Sequence, residues 1–230
     1  MHQCLPMRVL TLSSALVVAL IWTLSGSAQA EELTARVRWV VDGDTVILDT
    51  GQTVRLMGIN APELSRDDRP GQYFAQQARQ QALELMHGAE VRVRVVRRDR
   101  FHRLVGAVHL PDGTWVNKAL VRGGAAFVSW HSGGQPASGP GMLTAQRRAM
   151  REEAGFWGPI LDLTDPEGPF VGNRRSRRFH TRECAFGQAV HDRNLRLFGS
   201  LDQAFRAGFA PGRCCTPWPA RSEVLEGHGH

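Results

Sequence analysis

Cysteine is missing from the middle of this chain. Cys4 stands near its start, and Cys184, Cys214 and Cys215 crowd its end. A domain built between them must hold together on its hydrophobic core alone, without a covalent staple. Long apolar runs are just as scarce. Residues 9–24 form one, no second run of that length follows, and the remainder is therefore expected to be soluble. Lysine is nearly absent too: Lys118 is the single one, and arginine carries almost all of the positive charge behind a formal net charge of +6. A basic balance of this kind suits a polyanionic partner.

The one apolar run is informative in itself. Arg8 precedes it, and Ser25-Gly26-Ser27-Ala28-Gln29-Ala30 closes it with an Ala-x-Ala site, the layout of a secretory signal peptide cleaved after Ala30. The run is shorter than the roughly 20 residues of a membrane span; an uncleaved membrane anchor is the alternative. Cleavage removes Arg8 and Cys4 and leaves a periplasmic or extracellular chain, residues 31–230, with a net charge of +5. That length allows one domain of ordinary size and a small appendage.

Short strands are expected between residues 35 and 59, where Val37, Val40 and Val41 lead into Asp42-Gly43-Asp44 and two apolar runs flank Asp49-Thr50-Gly51-Gln52, a hairpin turn. From Gly71 to His87 the period becomes helical, with Phe74, Ala78, Ala82 and Leu85 on one face and Gly88 as the stop. Val91 to Val95 alternates as a half-buried strand does, and a further strand covers residues 104–110. Helices are expected over residues 116–122 and 142–154, separated by a glycine- and proline-rich loop. Five strands with a helix between the third and fourth, and two helices after, describe a small closed barrel of the OB type with about three helices, an α+β fold.

The polar residues of these elements carry the chemistry. Asp44 opens the second strand after a glycine turn, and Arg55, Asn60, Ala61, Pro62 and Glu63 follow on and after the third. Asp99-Arg100-Phe101-His102-Arg103 brings a further arginine to the end of a basic strand. Acids to hold a divalent metal and arginines to clamp a phosphate are what metal-assisted phosphodiester cleavage requires. Asp42 reads as a turn aspartate bonding its own backbone. Taken in order, the three segments resemble the thermonuclease (staphylococcal-nuclease-like) family over roughly residues 36–157, with Asn117-Lys118-Ala119-Leu120-Val121-Arg122-Gly123-Gly124 and Phe156-Trp157 in register.

The resemblance implies a nuclease domain over residues 31–160 that cleaves DNA and RNA, single-stranded or frayed, with calcium as cofactor. It implies Asp44, Asn60 and the backbone carbonyl of Ala61 as metal ligands. Arg55, Glu63 and Arg103 become catalytic: the arginines bind the phosphate and the glutamate acts through water. Arg100, Phe101 and Trp130 become the nucleotide cradle. Asn60 departs from the pattern, since many relatives carry aspartate there, and one fewer charged ligand weakens a calcium site. A domain that binds nucleic acid or protein without cutting is the rival reading.

After a linker over residues 161–171, residues 172–216 form a small α+β module with a strand at 195–198 and a helix opened by Ser200-Leu201-Asp202-Gln203 and stopped by Gly208. It resembles the small Ada-like metal-binding modules, which implies zinc at His180, Cys184 and Cys214. A disulfide from Cys184 to Cys214 or Cys215 is the alternative. Residues 217–230 read as a disordered tail.

Overall fold

A computed structural model describes residues 31–65, 70–130, 139–162 and 169–212. The signal-like segment, Cys214, Cys215 and the tail lie outside these residues. Five strands close a barrel: β1 (Glu32–Asp42), β2 (Thr45–Leu48), β3 (Thr53–Leu56), and, beyond the short β4 (Ile59–Asn60), β5 (Glu90–Arg98) and β6 (Leu104–His109), in the order β1-β2-β3-β6-β5. All pairings are antiparallel except β3 with β6, which run parallel and close the mixed barrel. Alternation explains the interior: Val91, Val93 and Val95 of β5 point in while Arg92 and Arg94 point out.

The helix α1 (Ala75–Met86) lies between the third and fourth barrel strands, as expected, but starts later than residue 71. Phe74 is its N-cap at φ +64°, and Gln72 is committed to the loop before it through a bond from its N–H to the Glu63 carbonyl. Its buried stripe is Ala75, Ala78, Ala82 and Met86, so small side chains bring it close to β1. α2 (Val116–Arg122) forms where the sequence placed it. Its fully buried Asn117 accepts from Val108 N–H (2.9 Å) and donates to the Met57 carbonyl (2.9 Å), pinning the far ends of β3 and β6. The strand β7 (Phe127–Val128) pairs with β4.

Next comes α3 (Gly139–Arg151), shifted three residues towards the N-terminus from the expected 142–154. Pro140 falls in its first turn, where a missing N–H costs nothing. The short α4 (Trp157–Asp162) follows. Between them the chain backs onto the end of α2 so closely that a Cβ at Gly155 would lie 2.6 Å from the Gly123 carbonyl.

The C-terminal segment contains more sheet than its sequence suggested. β8 (Phe170–Asn173), β9 (Arg178–His180), β10 (Leu195–Phe198) and β11 (Ala210–Pro211) form a sheet in the order β10-β8-β9-β11, with α5 (Ala185–Gln188) and α6 (Leu201–Arg206) alongside. β10 and α6 were expected. Ser200 caps α6 by accepting from Gln203 N–H (3.2 Å), while the Gln203 side chain reaches back one residue further than a capping box does, to Gly199 N–H (2.9 Å).

Two cores result. One fills the barrel beneath α1 and α2. The other joins Phe127, Met150, Phe156, Trp157 and Ile160 to Phe170, Phe179, Phe198, Phe205 and Phe209 of the C-terminal segment. Phe205 stands at its centre, with ring centroids 4.8 Å from Trp157, 5.2 Å from Phe179 and 5.8 Å from Phe127. Buried Gln146 crosses between the halves, accepting from Val128 N–H (2.6 Å) and donating to the Phe205 carbonyl (2.7 Å). Arg147 and the Trp130 indole likewise donate to the carbonyls of Arg206 and Gly208.

Candidate active site

The turn between β1 and β2 builds the site. Asp42 accepts from Asp44 N–H (3.1 Å), which closes the turn. Gly43 is required there by space: a Cβ would lie 2.6 Å from that of Ala61 and 3.1 Å from that of Ala78. The turn thereby packs against both the loop after β4 and the helix α1. Asp44, only 5% exposed, accepts from Ala61 N–H (2.7 Å) and from the Thr45 hydroxyl (3.1 Å).

Arg55 is paired across β2–β3 with Thr45 and is as buried as Asp44. Its Nη2 lies 2.9 Å from Asp44 Oδ2 and donates to Asn60 Oδ1 (2.9 Å), while Nη1 donates to the Leu56 carbonyl (2.8 Å). A strand arginine turned to solvent is thus ruled out. Burial pushes the Asp44 carboxyl up to about 7. The Arg55 charge and the Ala61 N–H oppose that rise, while Asp42 and Glu63 add to it.

Glu63 follows Pro62 on the exposed rim. A two-point clasp fixes its backbone: its N–H donates to the Gln72 side chain and its carbonyl accepts from Gln72 N–H, both at 2.9 Å. The carboxylate is left outward, near enough for its charge to be felt at Asp44. Arg103 immediately precedes β6, whose Val105 pairs with Arg55, so it enters the strand beside the one that carries Arg55. Asp99 holds Arg103 through Nε (2.8 Å) and Nη2 (2.7 Å). Burial alone would raise the Asp99 carboxyl, but hydrogen bonds from the Arg103 side chain and from the backbone N–H groups of Arg103 and Phe101 hold it below the ordinary range.

Comparison with known proteins places the chain in a family. Residues 53–159 match the family described as "Staphylococcal nuclease homologue". An uncharacterized endonuclease of Escherichia coli is 32% identical over 147 residues, covering 63% of this chain and 87% of that protein. The chain belongs to the staphylococcal nuclease homologue family. An uncharacterized endonuclease of Haemophilus influenzae is 30% identical over 142 residues, 60% of this chain and 74% of that protein. A probable endonuclease of Komagataella phaffii is 31% identical over 121 residues, about half of each chain. The family match begins at β3, so Asp44 lies outside the matched stretch and is tied to it by the pairing of β2 with β3.

Around that site the structure brings Asp44, Arg55, Asn60 and Ala61 into one bonded group. Glu63 is held at its edge, and Arg103 stands just before the strand that pairs with that of Arg55. Phe101 is 59% exposed and lies against two guanidinium groups, Arg100 at 4.8 Å and Arg103 at 5.3 Å from its ring centroid. Trp130 is tied to the C-terminal segment instead: half-buried, its indole N–H is used on Gly208, and Arg177 lies over its ring. His180 Nδ1 lies 3.4 Å from Cys184 Sγ. Burial, then the Arg178 charge, lowers the His180 imidazole, which favours its neutral form. Cys214 and Cys215 lie outside the described residues.

Asp99 and Gln72 were missed as positioning residues. The only hint of the first was its spacing of four from Arg103; the second gave none. For a metal, the donors at Asp44, Asn60 and the Ala61 carbonyl are all oxygens, the chemistry that calcium prefers. Only one of them is charged, and no group of three His, Cys, Asp or Glu side chains suited to a metal occurs among the described residues. Asn60 also donates its Nδ2 to the Ala61 carbonyl (3.2 Å), covering an oxygen that a cation would use.

Proposed function

We propose that the chain is a secreted, calcium-dependent, sugar-nonspecific nuclease that hydrolyses phosphodiester bonds of DNA and RNA at the 5′ P–O bond, leaving 3′-phosphates, with preference for single-stranded or frayed substrate. The observation that carries this reading is the buried Asp44–Arg55 pair beside a second fixed arginine, Arg103, and a rim carboxylate, Glu63. A hard cation held by Asp44, Asn60 Oδ1 and the Ala61 carbonyl would supply charge to the attacked phosphate and polarise the attacking water.

The chain's own residues supply the rest. Arg55 commits one N–H to Leu56 and its Nη2 to Asn60 and Asp44, which leaves Nε and an Nη1 hydrogen for a phosphate oxygen. Asp99 takes Nε and Nη2 of Arg103, which orients the guanidinium and leaves Nη1 for the same phosphate without reorganisation during the reaction. Glu63, on a loop clasped by Gln72, positions the attacking water. Phe101 offers an exposed ring on which a base stacks.

Export would follow cleavage of residues 1–30, giving a periplasmic or extracellular protein. The C-terminal segment would be stapled through Cys184, by a disulfide to Cys214 or Cys215 or by a zinc ion that His180 helps to hold.

One observation favours a second reading, a domain that binds nucleic acid without cutting it: both ends of the Asn60 amide are committed, to Arg55 and to the Ala61 carbonyl. Release of acid-soluble nucleotides from denatured DNA by residues 31–230 separates the two. With calcium the nuclease releases them, with a chelator it does not, and Glu63→Ala and Arg103→Ala lose roughly 10²–10³ in rate. Binding without release at any calcium concentration would establish the second reading.

A further inference from the structure

β1 does not alternate regularly. Ala35 and Val37 point into the barrel, and an unbroken strand would send Trp39 in after them. Instead the register shifts between Val37 and Trp39, so that Arg38 and Trp39 both turn outward opposite Ile47 and Val40 takes the core position. A bulge of this kind re-aims a side chain. It leaves Trp39 53% exposed, whereas Trp115, Trp130 and Trp157 are half-buried or buried.

The exposed ring is also held in place. The Arg79 guanidinium lies 5.3 Å from its centroid, and Arg79 Nε donates to the Val40 carbonyl (3.0 Å), so the cation is fixed over one face of the indole. Arg79 directly follows Ala78, the residue on α1 that abuts Gly43 between Asp42 and Asp44. Trp39 is three residues before Asp42 on the same strand, a span of about 10 Å. The pair therefore stands on the flank of the turn that carries the site's carboxylates.

We propose that Trp39, with Arg38 and Arg79, is a stacking subsite for a nucleobase of single-stranded nucleic acid whose backbone runs on into the site. The inference rests on the nuclease reading. The free face of the indole takes a base of any identity, and the Arg79 guanidinium over the other face and the exposed Arg38 next to it in the strand meet the neighbouring phosphates. Single-stranded substrate fits because a paired base offers no free face to a side chain on a convex strand.

The test compares wild type, Trp39→Leu and Trp39→Phe in the full mature chain, on an oligothymidylate and on a dinucleotide that fills the cleavage position alone. Trp39→Leu is expected to raise KM for the oligonucleotide by about 5- to 150-fold, the range of one lost stacking contact. It leaves kcat and the dinucleotide KM unchanged, and Trp39→Phe restores most of the loss. Oligonucleotide affinity in a chelator, read by fluorescence anisotropy, gives the same comparison without cleavage. Equal KM and equal affinity for wild type and Trp39→Leu would overturn the subsite and leave the nuclease reading standing. A wild type that binds but does not cut, with Trp39→Leu binding more weakly, would sink the nuclease reading and retain the subsite. A wild type that does neither would overturn both.

Discussion

Replacing Phe205 by alanine tests whether the C-terminal segment is integral to the nuclease half or a separable attachment. Phe205 is fully buried and makes ring contacts with Phe127 and Trp157 on one side and Phe179 on the other. Truncating a buried phenylalanine costs about 3–5 kcal/mol once the residual cavity is included. For a chain of this size each kcal/mol lowers Tm by about 2–4 °C, so a fall of about 6–20 °C is expected. Because Phe127 belongs to the strand that pairs with β4, next to Asn60, the loss should be felt at the site as well. Calorimetry of Phe205→Ala should show one transition displaced downward, and heat inactivation of cleavage should move with it. Two transitions, with only the weaker displaced and inactivation unchanged, would refute the shared-core argument.

Two further predictions concern the metal. In the proposed calcium site, Asn60→Asp would add a second charged ligand and remove the amide donor from the Ala61 carbonyl, so calcium binding should tighten at least tenfold by titration calorimetry; unchanged affinity would place Asn60 outside the coordination shell. The second concerns pH. Asp44 is raised in the fold to about 7 from an ordinary 3.8, so the folded state holds this proton more tightly than the unfolded one. Its stabilising contribution is complete below about pH 4 and is lost as pH rises to about 7, by roughly 4 kcal/mol in the metal-free protein. Urea unfolding in a chelator at several pH values should show that decline in wild type and not in Asp44→Asn, and calcium affinity should drop about tenfold per pH unit below 7. Parallel stability profiles for the two proteins would contradict the assignment.

The barrel was legible because its strands and turns follow local rules. Val91 to Val95 alternates, and α2 runs to its double glycine, so periodicity alone places them. The C-terminal sheet was not legible for the opposite reason. Arg174-Arg175-Ser176-Arg177 reads as a charged run, yet it is the turn of a hairpin, with Arg177 N–H bonded to the Asn173 carbonyl (2.8 Å). The flanking strands of three and four residues are too short to show a period. Within the site, the order of Asp44, Arg55, Asn60 and Glu63 was visible, but the closing of Asn60 onto Arg55 and Ala61 depends on a loop conformation that no spacing encodes. The outward turn of Trp39 was hidden likewise, since a bulge reverses the parity that a sequence reader assumes.

The attachments of the C-terminal segment have a consequence for how this protein can vary. Gln146, Arg147 and Trp130 fasten it by grasping the carbonyls of Phe205, Arg206 and Gly208, atoms that every amino acid carries. Such clasps recognise the path of the main chain and are blind to the side chains strung along it. Arg206 can therefore drift to almost any residue that tolerates a helix end without loosening the joint. Gln146, gripping a backbone group on each side of the boundary, has no such freedom, because any shorter side chain strands both partners away from water.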